Sequence, residues 1–171
     1  PPTEAPPDIP LPRTQYQYDP SRISPAEKPY PYLPLVHRYA KKSDIPSDLV
    51  KAIIQVESNF DPNAKSGKDA RGLMQLMERT GKEFGVKDFF DPEQNIRGGV
   101  KYLKWLEDHF GASSSFRGAG IDSVLAAYNA GPTAVKKYGG IPPFKETQEY
   151  VKKVKALLQD RGWRFSEGKM V

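Results

Sequence analysis

The stretch Ile53-Ile54-Gln55-Val56-Glu57-Ser58-Asn59-Phe60 places one acid at the end of an apolar helical pattern, just before a loop bearing Asp and Gly. Glu57 follows Ile53 by four residues, so the two share a helix face. A carboxyl group turned toward apolar neighbours is desolvated, which disfavours its charged form and raises its pKa. Such a group holds a proton near pH 7, gives it to a leaving oxygen, and then serves as a base. From the helix pattern alone, an ordinary solvated glutamate at a helix end is the commoner outcome.

Amides and phenols follow at a distance. Gly72-Leu73-Met74-Gln75-Leu76-Met77 puts Gln75 in an apolar run, where a buried amide needs partners from a ligand or a neighbouring loop. Met74 and Met77 at this spacing are more often packing than contact surface. Ala126-Ala127-Tyr128-Asn129-Ala130-Gly131 sets a phenol and an amide at an expected helix C-terminus, where Asn is also an ordinary cap. His37 and His109 are the only histidines and stand far apart, which argues against a metal site or a Ser-His-Asp triad. His109 suits the dipole at a helix end. The glycines lack the strand-loop-helix context of a phosphate loop. Asp61 and Asp69 are the available second acids, and nothing in the sequence sets either across a groove from Glu57.

The elements that must position these residues all read as helical. A short helix is expected over Leu35–Ala40. Ser47 is a candidate cap for a helix to about Ser58. Asp61-Pro62 and Ser66-Gly67-Lys68-Asp69 mark a loop. The spacing then predicts a helix from near Leu73 to Phe84, stopped by Gly85. Asp91-Pro92 is an N-cap with Pro at the first helical position, opening the longest helix to about Phe110. Gly111–Gly120 reads as a flexible connector. Asp122 is a candidate cap for a helix through Tyr128, Pro132 opens a short one to about Tyr138, and a last helix spans about Glu146–Gln159. No segment alternates as a strand does. The expected fold is all-α, with a body over 35–160.

Eleven of the 17 prolines lie within residues 1–34, which forbids a continuous helix there. That segment reads as an extended tail or tether, with Tyr16, Tyr18, Tyr30 and Tyr32 available to pack on the body. Residues 161–171 read as a C-terminal tail. The chain has 171 residues, enough for one domain with a core. It has no Cys, which excludes disulfides and thiol nucleophiles. No apolar run is long enough for a membrane span. An upstream signal or lipid anchor is left open by a chain that starts Pro-Pro. The net charge is +5, with the 34 N-terminal residues carrying −1, so the body carries about +6. That balance suits an anionic polymer or a merely solvated surface.

In order and spacing, Glu57-Ser58, Gly72–Met77, Ala127–Gly131 and Phe144-Lys145-Glu146-Thr147-Gln148-Glu149-Tyr150-Val151 resemble the soluble-type lytic transglycosylases. These belong to glycoside hydrolase family 23, which includes the goose-type lysozymes. The resemblance covers roughly Leu35 to Gln159. It implies a mainly helical, lysozyme-like fold with a groove for a peptidoglycan strand. The implied reaction cuts the β-1,4 bond between N-acetylmuramic acid and N-acetylglucosamine without a metal or cofactor. By resemblance, Glu57 protonates the glycosidic oxygen and then accepts the proton of the muramyl C6 hydroxyl, which closes on C1 to leave a 1,6-anhydro end.

Other positions carry over singly. Ser66 matches a loop serine near the muramyl group. Gln75 and Met77 match groove residues, with Met74 beside them. Ala127, Tyr128 and Asn129 match a segment lining the same subsites. Tyr150 matches a tyrosine near the catalytic acid that orients it. Glu78 stands where the family most often has Pro. A periplasmic or cell-envelope monomer acting on peptidoglycan strands, with no nucleic-acid partner, is the implied setting. A water-using muramidase on the same fold, and a glycan-binding module without activity, remain as alternatives. An ordinary glycosidase needs two carboxylates flanking the bond, and with neither Asp61 nor Asp69 placed across a groove the single-acid reading is preferred.

Overall fold

In the computed structural model, residues 32–111 and 120–165 are described. The tail over 1–31, most of the expected connector at 112–119, and residues 166–171 lie outside them. The described body is helical: α1 Leu33–Lys42, α2 Ser47–Ser58, α3 Glu78–Glu83, α4 Pro92–Phe110, α5 Gly120–Ala130, α6 Pro132–Tyr138 and α7 Lys145–Asp160. Among the described residues, β-pairing is confined to the isolated bridges Lys65–Arg71 and Arg71–Leu76. The all-α expectation is met.

Helix α5 is the centre of the body, packing on α4, α6 and α7, while α2 lies between α1 and α7. Its Ile121, Val124, Leu125, Ala126 and Ala127 are buried. Helix α2 buries Leu49, Val50, Ala52, Ile53 and Ile54, the apolar stripe that leads to Glu57. Each large aliphatic side chain so buried contributes about 1.5–3 kcal/mol. Helix α4 turns Ile96, Val100, Leu103 and Leu106 inward. It starts as its sequence requires, with the Asp91 carboxylate accepting from Gln94 N at 3.1 Å and Pro92 opening the helix. Glu93 in its first turn is buried and accepts from the Tyr39 hydroxyl at 2.7 Å and from Arg38 at 3.3 Å, tying α1 to α4.

Three boundaries differ from expectation. Ser47 is the first residue of α2, not its cap; the N-cap is Pro46, in extended conformation, and no side chain caps the helix. Asp122 lies within the first turn of α5, which starts at Gly120. The largest change concerns Gly72–Met77, which is a turn, with helix α3 starting only at Glu78. Gly72 and Gln75 both have positive φ, 79° and 51°, which no right-handed helix accommodates. Leu73, Met74 and Leu76 mimic helical spacing because the turn buries them from several sides.

The body also extends past the expected C-terminal boundary of 160. Trp163 is 4% exposed and packs in the core. Its indole N–H donates to Asp48 Oδ2 at 3.3 Å, and Arg161 reaches Asp48 Oδ1 at 3.0 Å. Tyr32 at the other end is likewise buried.

Candidate active site

Glu57 occupies the last turn of α2, whose C-cap Asn59 is left-handed. The residue is half-buried, and its carboxyl is pushed up from 4.5 to about 8, chiefly by burial. The Tyr150 hydroxyl opposes this shift and Glu146 adds to it through like charge. Tyr150 comes from α7 and is buried. Its hydroxyl is close enough to ease the charge on Glu57, yet it completes no well-formed hydrogen bond among the described residues. The phenols of Tyr128 and Tyr150 are both raised well above the ordinary value of 10, first by burial and then by the charge of Glu57. One carboxyl and two phenols thus come together where α2, α5 and α7 meet.

A cleft of about 450 Å³ opens beside this corner. Its walls include Gln75 and Met77 from the turn, Tyr102 from α4, Tyr128 and Asn129 from α5, and Glu146 from α7. Of the residues singled out by sequence, Gln75, Met77, Tyr128 and Asn129 line the cleft. Met77 is 47% exposed despite its apolar side chain, which suits a contact surface. Glu57 is close enough to the cleft-lining Tyr128 and Glu146 to interact with both by charge, and Tyr150 interacts with Glu57 and Tyr128. Met74 and Ala127 are fully buried in the core. Ser66 sits in the exposed loop, its hydroxyl accepting from Ala70 N at 3.0 Å. Asp61 accepts from Asn63 N at 2.9 Å, and Asp69 is paired with Arg71 at 2.6 Å, which holds its carboxyl below the ordinary range. The carboxylate on the cleft wall is instead Glu146, 3.6 Å from Lys68.

The turn that carries Gln75 and Met77 is built around Asn95. This residue, 1% exposed on α4, donates to Arg71 O and Phe89 O, both at 2.9 Å, and accepts from Met74 N at 2.7 Å. A Cβ at Gly72 would collide with Phe89 O and the Asn95 amide, so only glycine lets the turn close on it. Ser58 donates to Leu73 O at 2.7 Å, and Tyr128 donates to Met74 O at 2.7 Å. The residue next to the acid and the phenol on the wall therefore grip the same turn. Gln75 adds its own bonds, its amide nitrogen donating to Ala64 O at 3.0 Å and Gly72 O at 2.9 Å. Thr147 Oγ1 donates to Asn129 Oδ1 at 2.8 Å across the α5–α7 joint.

Asn95, Tyr102 and Glu146 had not been picked out as site residues. Asn95 carried a signal, because an amide beside Ile96 on the inward face of a helix needs buried partners. Tyr102 and Glu146 carried none, since their approach to Tyr128 and Glu57 depends on how the helices cross.

The chain resembles known proteins in sequence and in overall fold. The Transglycosylase SLT domain profile matches residues 34–151. The chain is 34% identical over 163 residues to the soluble lytic murein transglycosylase of Escherichia coli (strain K12), covering 82% of this chain and 24% of that protein. It is 36% identical over 136 residues to the membrane-bound lytic murein transglycosylase F of Desulfosudis oleivorans, covering 76% and 29%. The X-ray structure of an inactive Glu-to-Gln mutant of the lytic transglycosylase Slt from Pseudomonas aeruginosa aligns with a TM-score of 0.67 at 32% identity, over 78% of this chain and 24% of that one. The chain thus spans about a quarter of the length of the curated relatives it matches. With the profile matching more than half of its length and the helical body aligning with a solved relative, this chain belongs to the transglycosylase SLT domain family.

Proposed function

We propose that this domain is a peptidoglycan lytic transglycosylase acting in the cell envelope, with Glu57 as its single acid and base. The observation that carries the proposal is the Glu57 carboxyl, pushed up to about 8 by burial and adjoining an open cleft. In the first step Glu57 gives its proton to the glycosidic oxygen while the bond from C1 of N-acetylmuramic acid to that oxygen breaks. The N-acetylglucosamine side leaves with the bonding pair as a free 4-hydroxyl, and the muramyl acetamido oxygen supports C1. In the second step Glu57, now a carboxylate, takes the proton of the muramyl C6 hydroxyl as O6 bonds to C1. The glutamic acid is restored, no water is consumed, and the product carries a 1,6-anhydro ring.

One acid suffices because the substrate supplies both the helper and the nucleophile. Tyr150 orients the Glu57 carboxyl, and Gln75, Met77, Tyr128 and Asn129 hold the sugars. The amide nitrogen of Gln75 is committed to its own turn, which leaves its side-chain oxygen to accept from a sugar hydroxyl. Met74 and Ala127 act through packing, and Ser66 through its loop. The names of the two relatives, one soluble and one membrane-bound, both murein transglycosylases, support the substrate and the envelope setting.

A hydrolytic muramidase would need a second carboxylate, for which Glu146 is the cleft-wall residue available. The test is Glu57→Gln on a suspension of purified murein. Clearing is expected to fall by at least about a thousandfold with glycan binding retained, whereas survival of clearing would remove Glu57 from the mechanism.

A further inference from the structure

The cleft is lined mostly by apolar and uncharged polar side chains. Among the described residues that line it, Lys68 and Glu146 alone carry charge. They come from separate elements, Lys68 from the loop after α2 and Glu146 from the first turn of α7. Their ammonium and carboxylate stand 3.6 Å apart, so the pair ties the loop to α7 at the cleft.

Both side chains are largely exposed, at 82% and 69%. An ion pair this open adds little to stability, because water screens it and two long side chains must be held in one geometry. The other cations of the loop are placed differently. Lys65 at 3.2 Å and Arg71 at 2.6 Å both close on Asp69. Lys68 is the one that turns to the cleft. A weak pair is also easily shared, since an ammonium has three donors and Glu146 does not use them all.

The backbone of an amino-sugar strand is neutral and gives an ammonium no charged partner. A muramyl residue does give one. Its 3-O-lactyl group ends in a carboxylate, which is either free or extended by a peptide with carboxylates of its own. In the reaction proposed above, C1 of that residue lies at Glu57. Glu146 is near enough to Glu57 to act on it by charge, and Glu146 holds Lys68. A cation is thus kept close to where the muramyl substituent must pass.

We infer that Lys68 is a specificity residue: its ammonium, steadied at the cleft by Glu146, takes a carboxylate of the muramyl 3-O substituent, so that acid-bearing strands are preferred over uncharged ones. The inference rests on the murein-cleaving reading above.

The test titrates three tetrasaccharides against the E57Q protein, in which turnover is blocked. One is the uncharged β-1,4 tetramer of N-acetylglucosamine. The second alternates N-acetylglucosamine with N-acetylmuramic acid and has free lactyl carboxylates, and the third carries stem peptides on those lactyl groups. Adding Lys68→Gln is expected to weaken an acid-bearing ligand about tenfold and to leave the uncharged tetramer unchanged. Lys68→Arg is expected to restore most of the loss. A loss confined to the third ligand assigns the contact to a peptide carboxylate, and a loss confined to the second assigns it to the free lactyl group. Because Lys68 is exposed in a loop, unfolding midpoints are expected to stay at the parent value. Equal losses for all three ligands overturn the inference, since Lys68 would then only balance Glu146. So does unchanged affinity for all three. Failure of the murein-cleaving reading is distinct: the protein with Glu57 intact would leave murein uncut whatever the ranking of the ligands.

Discussion

Glu57 is a residue held in an unfavourable charge state, and its pH behaviour follows from that. Burial raises its carboxyl from 4.5 to about 8, so it is protonated and competent as an acid at neutral pH. The rate on murein is expected to fall as pH rises through about 8. Tyr150→Phe removes the hydroxyl that opposes the shift, so the falling limb should move to higher pH; a pH–rate profile of both proteins checks this. Stability carries the opposite sign from that of a salt-bridged carboxylate. Between pH 4.5 and 8 the folded state binds more protons at Glu57 than the unfolded state does, so rising pH weakens the fold across that window. Gln does not titrate. Glu57→Gln is therefore expected to gain stability over the parent progressively from about pH 4.5 to 8, reaching on the order of a few kcal/mol and levelling off above it. Urea melts of the two proteins across that range measure the difference.

The Gly72–Met77 turn is the element that decides the shape of the cleft, and it was also where the sequence misled. Its Leu73, Met74 and Leu76 follow a helical rhythm, but the turn is shaped by a buried amide 21 positions beyond Met74 in the chain. Asn95 satisfies three buried backbone groups around it. Asn95→Ala removes all three bonds, leaving Arg71 O with only its bond from Leu76 N, and is expected to cost about 3 kcal/mol, at about 1 kcal/mol for each lost bond. Equilibrium unfolding in urea measures that loss, and a variant as stable as the parent would remove Asn95 as the organiser of the turn. Local signals sufficed where an element closes on its own residues. Asp91-Pro92 capped α4 as read, and Pro132 opened α6 as read. They did not suffice where partners come from another helix, as at Gly72, Asn95 and Glu146.

The whole molecule brings Glu57, the turn, Tyr128 and Tyr150 together by packing α2, α5 and α7 around one core. The four motifs were legible in the sequence as a family pattern, and the clustering of three of them around the cleft agrees with it. The division of labour within them was not legible. Met74 and Ala127 are core residues, and the Tyr128 hydroxyl is spent on Met74 O. The last described residues also belong to the body, because Trp163 and Arg161 clasp Asp48 on α2, the helix that ends in the acid. Among the described residues no helix is long and apolar enough to cross a membrane. The body carries its excess positive charge outside the N-terminal segment, which suits the approach of an anionic wall polymer. The most direct measurement is mass spectrometry of the muropeptides released from purified sacculi. The account predicts disaccharide products that lack a reducing end and are lighter by one water than the hydrolysed forms, and that vanish with Glu57→Gln. Reducing-end muramic acid as the main product would contradict it.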